Sequence, residues 1–79
     1  MGNFPTVKAK ALITFITNMG FELFRQKGSH KFYKHPDGRT ATIPDHGGKD
    51  LGVGLTRKIL KDVEVSPQEF LDWYTKKKK

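Results

Sequence analysis

Lys27-Gly28-Ser29-His30-Lys31-Phe32-Tyr33-Lys34-His35-Pro36-Asp37-Gly38-Arg39 reads as a strand held between two turns, and that reading decides the fold. Lys27-Gly28-Ser29 makes the first turn. His35-Pro36-Asp37-Gly38 makes the second, with Pro36 setting φ and Gly38 able to take a positive φ. Between them, strict alternation puts His30, Phe32 and Lys34 on one face and Lys31, Tyr33 and His35 on the other. The two aromatics point oppositely. One therefore lies on the exposed side or at the sheet margin, where it stacks on an unpaired base or packs under a loop. Tyr33 is assigned to core support, and His35, just before Pro36, to the turn.

Working outward, Phe21 to Gln26 suits a preceding strand and Arg39 to Ile43 a following one, ended by Pro44. On the N-terminal side, Leu12, Phe15, Ile16 and Met19 recur at helical spacing, which predicts a helix over about Val7–Met19. Thr6 is placed to cap it and Gly20 to close it. On the other side, Asp45-His46-Gly47-Gly48-Lys49-Asp50 is a polar connection. A second helix is then expected from Val53–Leu55 to about Val63, with Leu55, Ile59, Leu60 and Val63 buried. Ser66-Pro67-Gln68-Glu69 is a capping box for a short last helix that docks Phe70, Leu71 and either Trp73 or Tyr74 on the core. The expectation is one α+β domain over 1–79, with three antiparallel strands, and with residues 1–5 and 75–79 outside its ordered part.

Composition narrows the function. The chain has 79 residues and no cysteine, which excludes disulfide staples and thiolate metal sites and makes the cytoplasm the default compartment. Its longest apolar run falls far short of the ~20 residues of a membrane span, so solubility is expected. Met1-Gly2-Asn3-Phe4-Pro5-Thr6 fits the loose myristoylation pattern, but so short a pattern matches often by chance. Formal net charge is +7, of which four charges belong to Lys76-Lys77-Lys78-Lys79. More telling, Lys8, Lys10, Arg25, Lys27, Lys31 and Lys34 meet only one acid, Glu22, before Asp37. A polyanion is drawn to the first helix and the hairpin; a solvated charged surface is the plainer alternative.

His30 gives this surface a possible chemistry. Histidine is the side-chain type suited to accept and donate a proton in neutral solution, and this one sits among Lys27, Lys31, Lys34 and Arg39, cations suited to a phosphate. RNA carries its own nucleophile, the 2′-hydroxyl. A protein that cleaves it needs mainly a proton acceptor or donor and a way to stabilise charge on phosphorus. His46 with Asp45 and Asp50 lacks the ordered spacing of a three-ligand metal site, and Gly47-Gly48-Lys49 is too short for a Walker loop, so the segment reads as a loop whose glycines permit a tight path, with Lys49 a candidate phosphate contact.

Gly28-Ser29-His30, Tyr33, His35-Pro36-Asp37-Gly38-Arg39, Ile43-Pro44-Asp45-His46-Gly47-Gly48-Lys49-Asp50-Leu51 and Gly54-Leu55-Thr56-Arg57-Lys58-Ile59-Leu60-Lys61, with their spacing, resemble the HicA family of toxin–antitoxin ribonucleases. The resemblance runs from about Leu12 to Phe70. In two places the chain departs from the usual pattern: Lys31 stands where a second His often follows, and Leu55-Thr56 where Thr-Leu is usual. The resemblance implies an α-β-β-β-α domain of double-stranded-RNA-binding-like fold that acts as an mRNA interferase. It further implies His30 as the catalytic residue and a HicB-type antitoxin protein as partner. Lys27, Ser29, Lys31, Lys34, Arg39 and Lys49 are the expected RNA contacts, with Gly28 and Tyr33 supporting and neither metal nor cofactor required. The alternative is a non-catalytic RNA-binding module.

Overall fold

The computed structural model describes residues 4–77. In chain order the elements are β1 (Val7–Lys8), α1 (Ala9–Asn18), β2 (Glu22–Lys27), β3 (His30–Lys34), β4 (Thr40–Pro44), β5 (Asp50–Leu51), α2 (Val53–Asp62) and α3 (Pro67–Lys77). Strands β2, β3 and β4 form an antiparallel sheet in that order. The α-β-β-β-α order is that of the expected small double-stranded-RNA-binding-like domain, and α3 is the additional C-terminal helix. No helix among the described residues is long and apolar enough to cross a membrane.

Alternation along the strands decides which face the helices cover. Lys31 pairs with Ile43 and Tyr33 with Ala41, and Tyr33, Ala41 and Ile43 are buried. They join Leu12, Phe15 and Ile16 of α1 and Ile59 and Leu60 of α2 in one core. His30, Phe32 and Lys34 therefore point away from the helices, beside Pro44, Thr42 and Thr40. Phe70 is completely buried and stands edge-on to Phe15 at 5.1 Å, which fixes α3 to α1. Burying a ring of that size contributes roughly 2–3 kcal/mol. Ser66 caps α3 as expected, its Oγ accepting from the Glu69 amide at 3.1 Å.

Several details differ from expectation, among them a one-residue shift of β2 and β4 towards the C-terminus. Helix α1 starts at Ala9 rather than Val7, because Val7–Lys8 pairs antiparallel with Asp50–Leu51. Thr6 does not cap the helix; its hydroxyl donates to the Asp50 carboxylate at 3.3 Å, and Lys8 Nζ donates to the same group at 3.0 Å. On α2, Thr56 is buried and Leu55 is 36% exposed. The stripe is Thr56, Ile59, Leu60 and Val63, at the i, i+3, i+4, i+7 spacing of a single helix face. Burying the Thr56 hydroxyl is tolerated because it donates to the Gly52 carbonyl at 3.0 Å. Pro44 is the last residue of β4 rather than the residue beyond it, which an edge strand permits. At the termini, residues 1–3, 78 and 79 lie outside the described residues; Phe4 packs on Phe70, and α3 runs on through Lys77.

Candidate active site

The β2–β3 turn places His30. Gly28 takes φ +60°, a left-handed conformation that favours glycine, and the chain reverses over Gly28-Ser29. His30 is then the first residue of β3, exposed, opposite Lys27 on β2 and Pro44 on β4. It stands at the rim of the sheet on the face free of helices.

The loop after β4 is tied to this turn at several points. The Asp45 amide donates to the Ser29 carbonyl at 2.7 Å. The Asp45 carboxylate accepts from Lys31 Nζ at 3.0 Å, with each side chain 27% exposed. The Lys31 hydrogen bond holds the Asp45 carboxyl below the usual carboxylate range, and the same bond raises the Lys31 ammonium. Farther along, Lys8 Nζ donates to the Gly48 carbonyl at 2.9 Å. These ties present the exposed His46 ring edge-on to His30, with centroids 6.4 Å apart and planes at 79°. On the helix side of the ion pair lies an open cleft of about 430 Å³, lined by Lys8, Lys10, Ile13, Thr14, Lys31 and Asp45.

The residues put forward from sequence thus fall into groups. His30, Ser29, Gly28 and Lys27 share one turn, and Lys27 is exposed beside His30. Lys31 lies close by in sequence but faces the helices and is engaged by Asp45. Lys34 is exposed on the His30 face at the far end of β3, its ammonium 5.8 Å from the Phe24 ring. Lys49 is exposed in the loop that carries His46. Tyr33 is in the core, 3% exposed, and burial pushes its phenol up. Arg39 sits at the opposite end of the hairpin. Its Nη1 donates to the Val63 carbonyl at 2.6 Å and its Nε to Asp37 at 2.8 Å. His35 is the turn residue expected: Nε2 donates to the Met19 carbonyl at 3.0 Å, which leaves Nδ1 to accept from the Asp37 amide at 3.1 Å. Among the described residues no group of three His, Asp or Glu side chains is placed to hold a metal ion.

Two features were not readable beforehand. The edge-on approach of His46 to His30 depends on the Lys31–Asp45 ion pair, which joins residues 14 positions apart. The second is a bulge in β2 between Leu23 and Arg25, which leaves Phe24 56% exposed and 6.5 Å from Phe32. The imperfect alternation of residues 21–26 was its only trace in the sequence.

The model of the HicA toxin of bacterial toxin–antitoxin systems matches residues 9–65, from the start of α1 to just past α2. A curated relative described as a probable mRNA interferase HicA, from Pseudomonas fluorescens (strain Pf0-1), is 41% identical over 44 residues, 56% of this chain and 72% of the relative. With the histidine-bearing hairpin, α1 and α2 all inside the matched region, the chain belongs to the HicA toxin family.

Proposed function

We propose that the protein is the toxin of a type II toxin–antitoxin system, an endoribonuclease that cuts mRNA in the cytoplasm without a metal ion, using His30 as a general acid or base. The observation that carries this reading is the exposed His30 at the rim of a cationic hairpin, with the His46 ring edge-on 6.4 Å away. Two imidazoles at that separation can flank one phosphodiester. One takes the proton from the 2′-hydroxyl as that oxygen bonds to phosphorus. The other gives a proton to the 5′-oxygen as the phosphorus–oxygen bond breaks. The products are a 2′,3′-cyclic phosphate and a 5′-hydroxyl. Lys27, Lys34 and Lys49 are exposed and supply positive charge for the backbone and for the developing phosphorane. Lys31 acts through Asp45, as a positioning residue for the loop that carries His46. A HicB-type antitoxin covering this basic face would block His30, and an acidic surface on that partner suits the charge here.

The attacking oxygen belongs to the substrate, so the test is made there. An RNA with 2′-deoxyribose at the scissile position is expected to resist cleavage at that bond while neighbouring sites are still cut. Normal cleavage of the deoxy-substituted bond would show that the protein activates some other nucleophile.

A further inference from the structure

The outer face of the β2-β3-β4 sheet carries no helix, and two aromatic rings stand on it among cations. Phe24 is 56% exposed at the β2 bulge, and its ring lies 6.5 Å from that of Phe32 at 59°. The Arg25 guanidinium stands 5.4 Å from the Phe32 centroid, and the Lys34 ammonium 5.8 Å from the Phe24 centroid. Lys27 extends the positive edge along β2. Glu22, opposite Lys34, is the one acid on these strands. His30 shares this face with Phe32, two residues away and so about 7 Å along the strand.

We propose that Phe24 and Phe32 form a stacking subsite for unpaired RNA bases, with Arg25 and Lys34 holding the adjoining phosphates, so that a neighbouring phosphodiester is led to His30. The proposal rests on the ribonuclease reading and adds the form of substrate that the site takes. An aromatic ring flanked by cations matches a ligand that alternates flat π-faces with negative charge. An acidic protein partner answers the cations of this face alone, whereas a base sets its flat face against each exposed ring as its phosphate meets the neighbouring cation. Bases stacked inside an A-form duplex cannot offer their faces. The subsite therefore selects single strands, loops and unwound message over duplex, with little sequence preference.

The test is made in two arms. Binding is measured by titrating a labelled single-stranded RNA, and a duplex of equal length, into His30→Ala protein with and without Phe24→Ala or Phe32→Leu. Cleavage is measured in the His30-intact chain. Phe24→Ala is expected to weaken single-strand binding about five- to hundredfold and leave duplex binding unchanged, and Phe24→Trp to retain the affinity. Since Phe24 is more than half exposed, its loss leaves the fold intact, which a thermal melt checks. Phe32→Leu keeps the apolar packing and removes the π-face. Unchanged single-strand affinity in Phe24→Ala, or equal losses for single strand and duplex, would overturn the subsite. So would variants that bind RNA normally but fail to bind a purified HicB-type antitoxin. If the His30-intact chain cuts no RNA, the ribonuclease reading falls while the binding arm still decides the subsite.

Discussion

Replacing Arg39 by methionine separates a structural cation from a phosphate ligand. In the folded chain Arg39 is 21% exposed at its side chain, donates from Nη1 to the Val63 carbonyl at 2.6 Å, and lies 5.3 Å from the Phe21 centroid. Val63 is the C-cap of α2, where unpaired carbonyls and the helix dipole both favour a cation. Methionine keeps most of the stem packing but leaves that carbonyl without its donor. A hydrogen bond from a charged group contributes about 1.5–3 kcal/mol and a partly exposed cation–π contact about 0.5–1 kcal/mol. Allowing for partial exposure, a loss of about 2–3 kcal/mol follows. At about 4–8 °C per kcal/mol for a domain of this size, the melting temperature drops by roughly 10–20 °C. Far-UV circular dichroism during heating and in urea reads the stability. RNA titration well below the melt reads affinity, which is expected to stay the same. An unchanged melting temperature with weakened RNA binding would refute the reasoning and make Arg39 a substrate contact.

Gly20 follows α1 with φ +107°, and a Cβ there would meet His35 Nε2 at 3.0 Å, an atom held by the Met19 carbonyl. Gly20→Ala is expected to lose at least about 1 kcal/mol in urea unfolding, and an unchanged midpoint would refute this. The folded state also answers to pH. The Asp45 carboxyl is held below its usual range by the Lys31 hydrogen bond, Asp37 by the Arg39 amide and Asp50 by the Lys8 ammonium. Each lowered group adds stability above its unfolded pKa of about 3.9, and that stability is lost as pH falls through the lower folded value. Melting temperature should therefore fall below about pH 4, and less steeply in Asp45→Asn than in the parent. Identical acid limbs in the two proteins would contradict the assignment.

How far the sequence could be read depended on whether a residue's role was set locally. The strand His30–Lys34 was legible to the residue because Gly28 and Pro36-Asp37-Gly38 punctuate it and alternation sorts its faces. The Ser66 cap was legible for the same reason, since its signal spans four residues. The β1–β5 ribbon was not. Strands of two residues have no periodicity, and their side-chain bond joins Lys8 to Asp50 across 42 positions. Leu55 seemed the natural core residue by hydrophobicity, yet Thr56 satisfies its hydroxyl within its own helix and takes the buried position. At the site, sequence marks a lysine or arginine as a free cation when its partner is remote. Lys31 and Arg39 read as phosphate ligands beside Lys27 and Lys34, with no sign in the sequence of the Asp45 carboxylate and the Val63 carbonyl that engage them. His30 was singled out as a candidate by its neighbours in the chain, whereas His46 comes to it only through the folded loop.

The measurement that bears most directly on the account is cleavage of a long mRNA, with chelator present, by the chain as it stands and by His30→Ala. The unmodified chain is expected to cut and to leave 2′,3′-cyclic phosphate ends. His30→Ala should cut at least about a hundredfold more slowly while binding the same RNA as tightly. Cleavage by His30→Ala at the unmodified rate, or none by either chain while both bind, would contradict a catalytic role for His30.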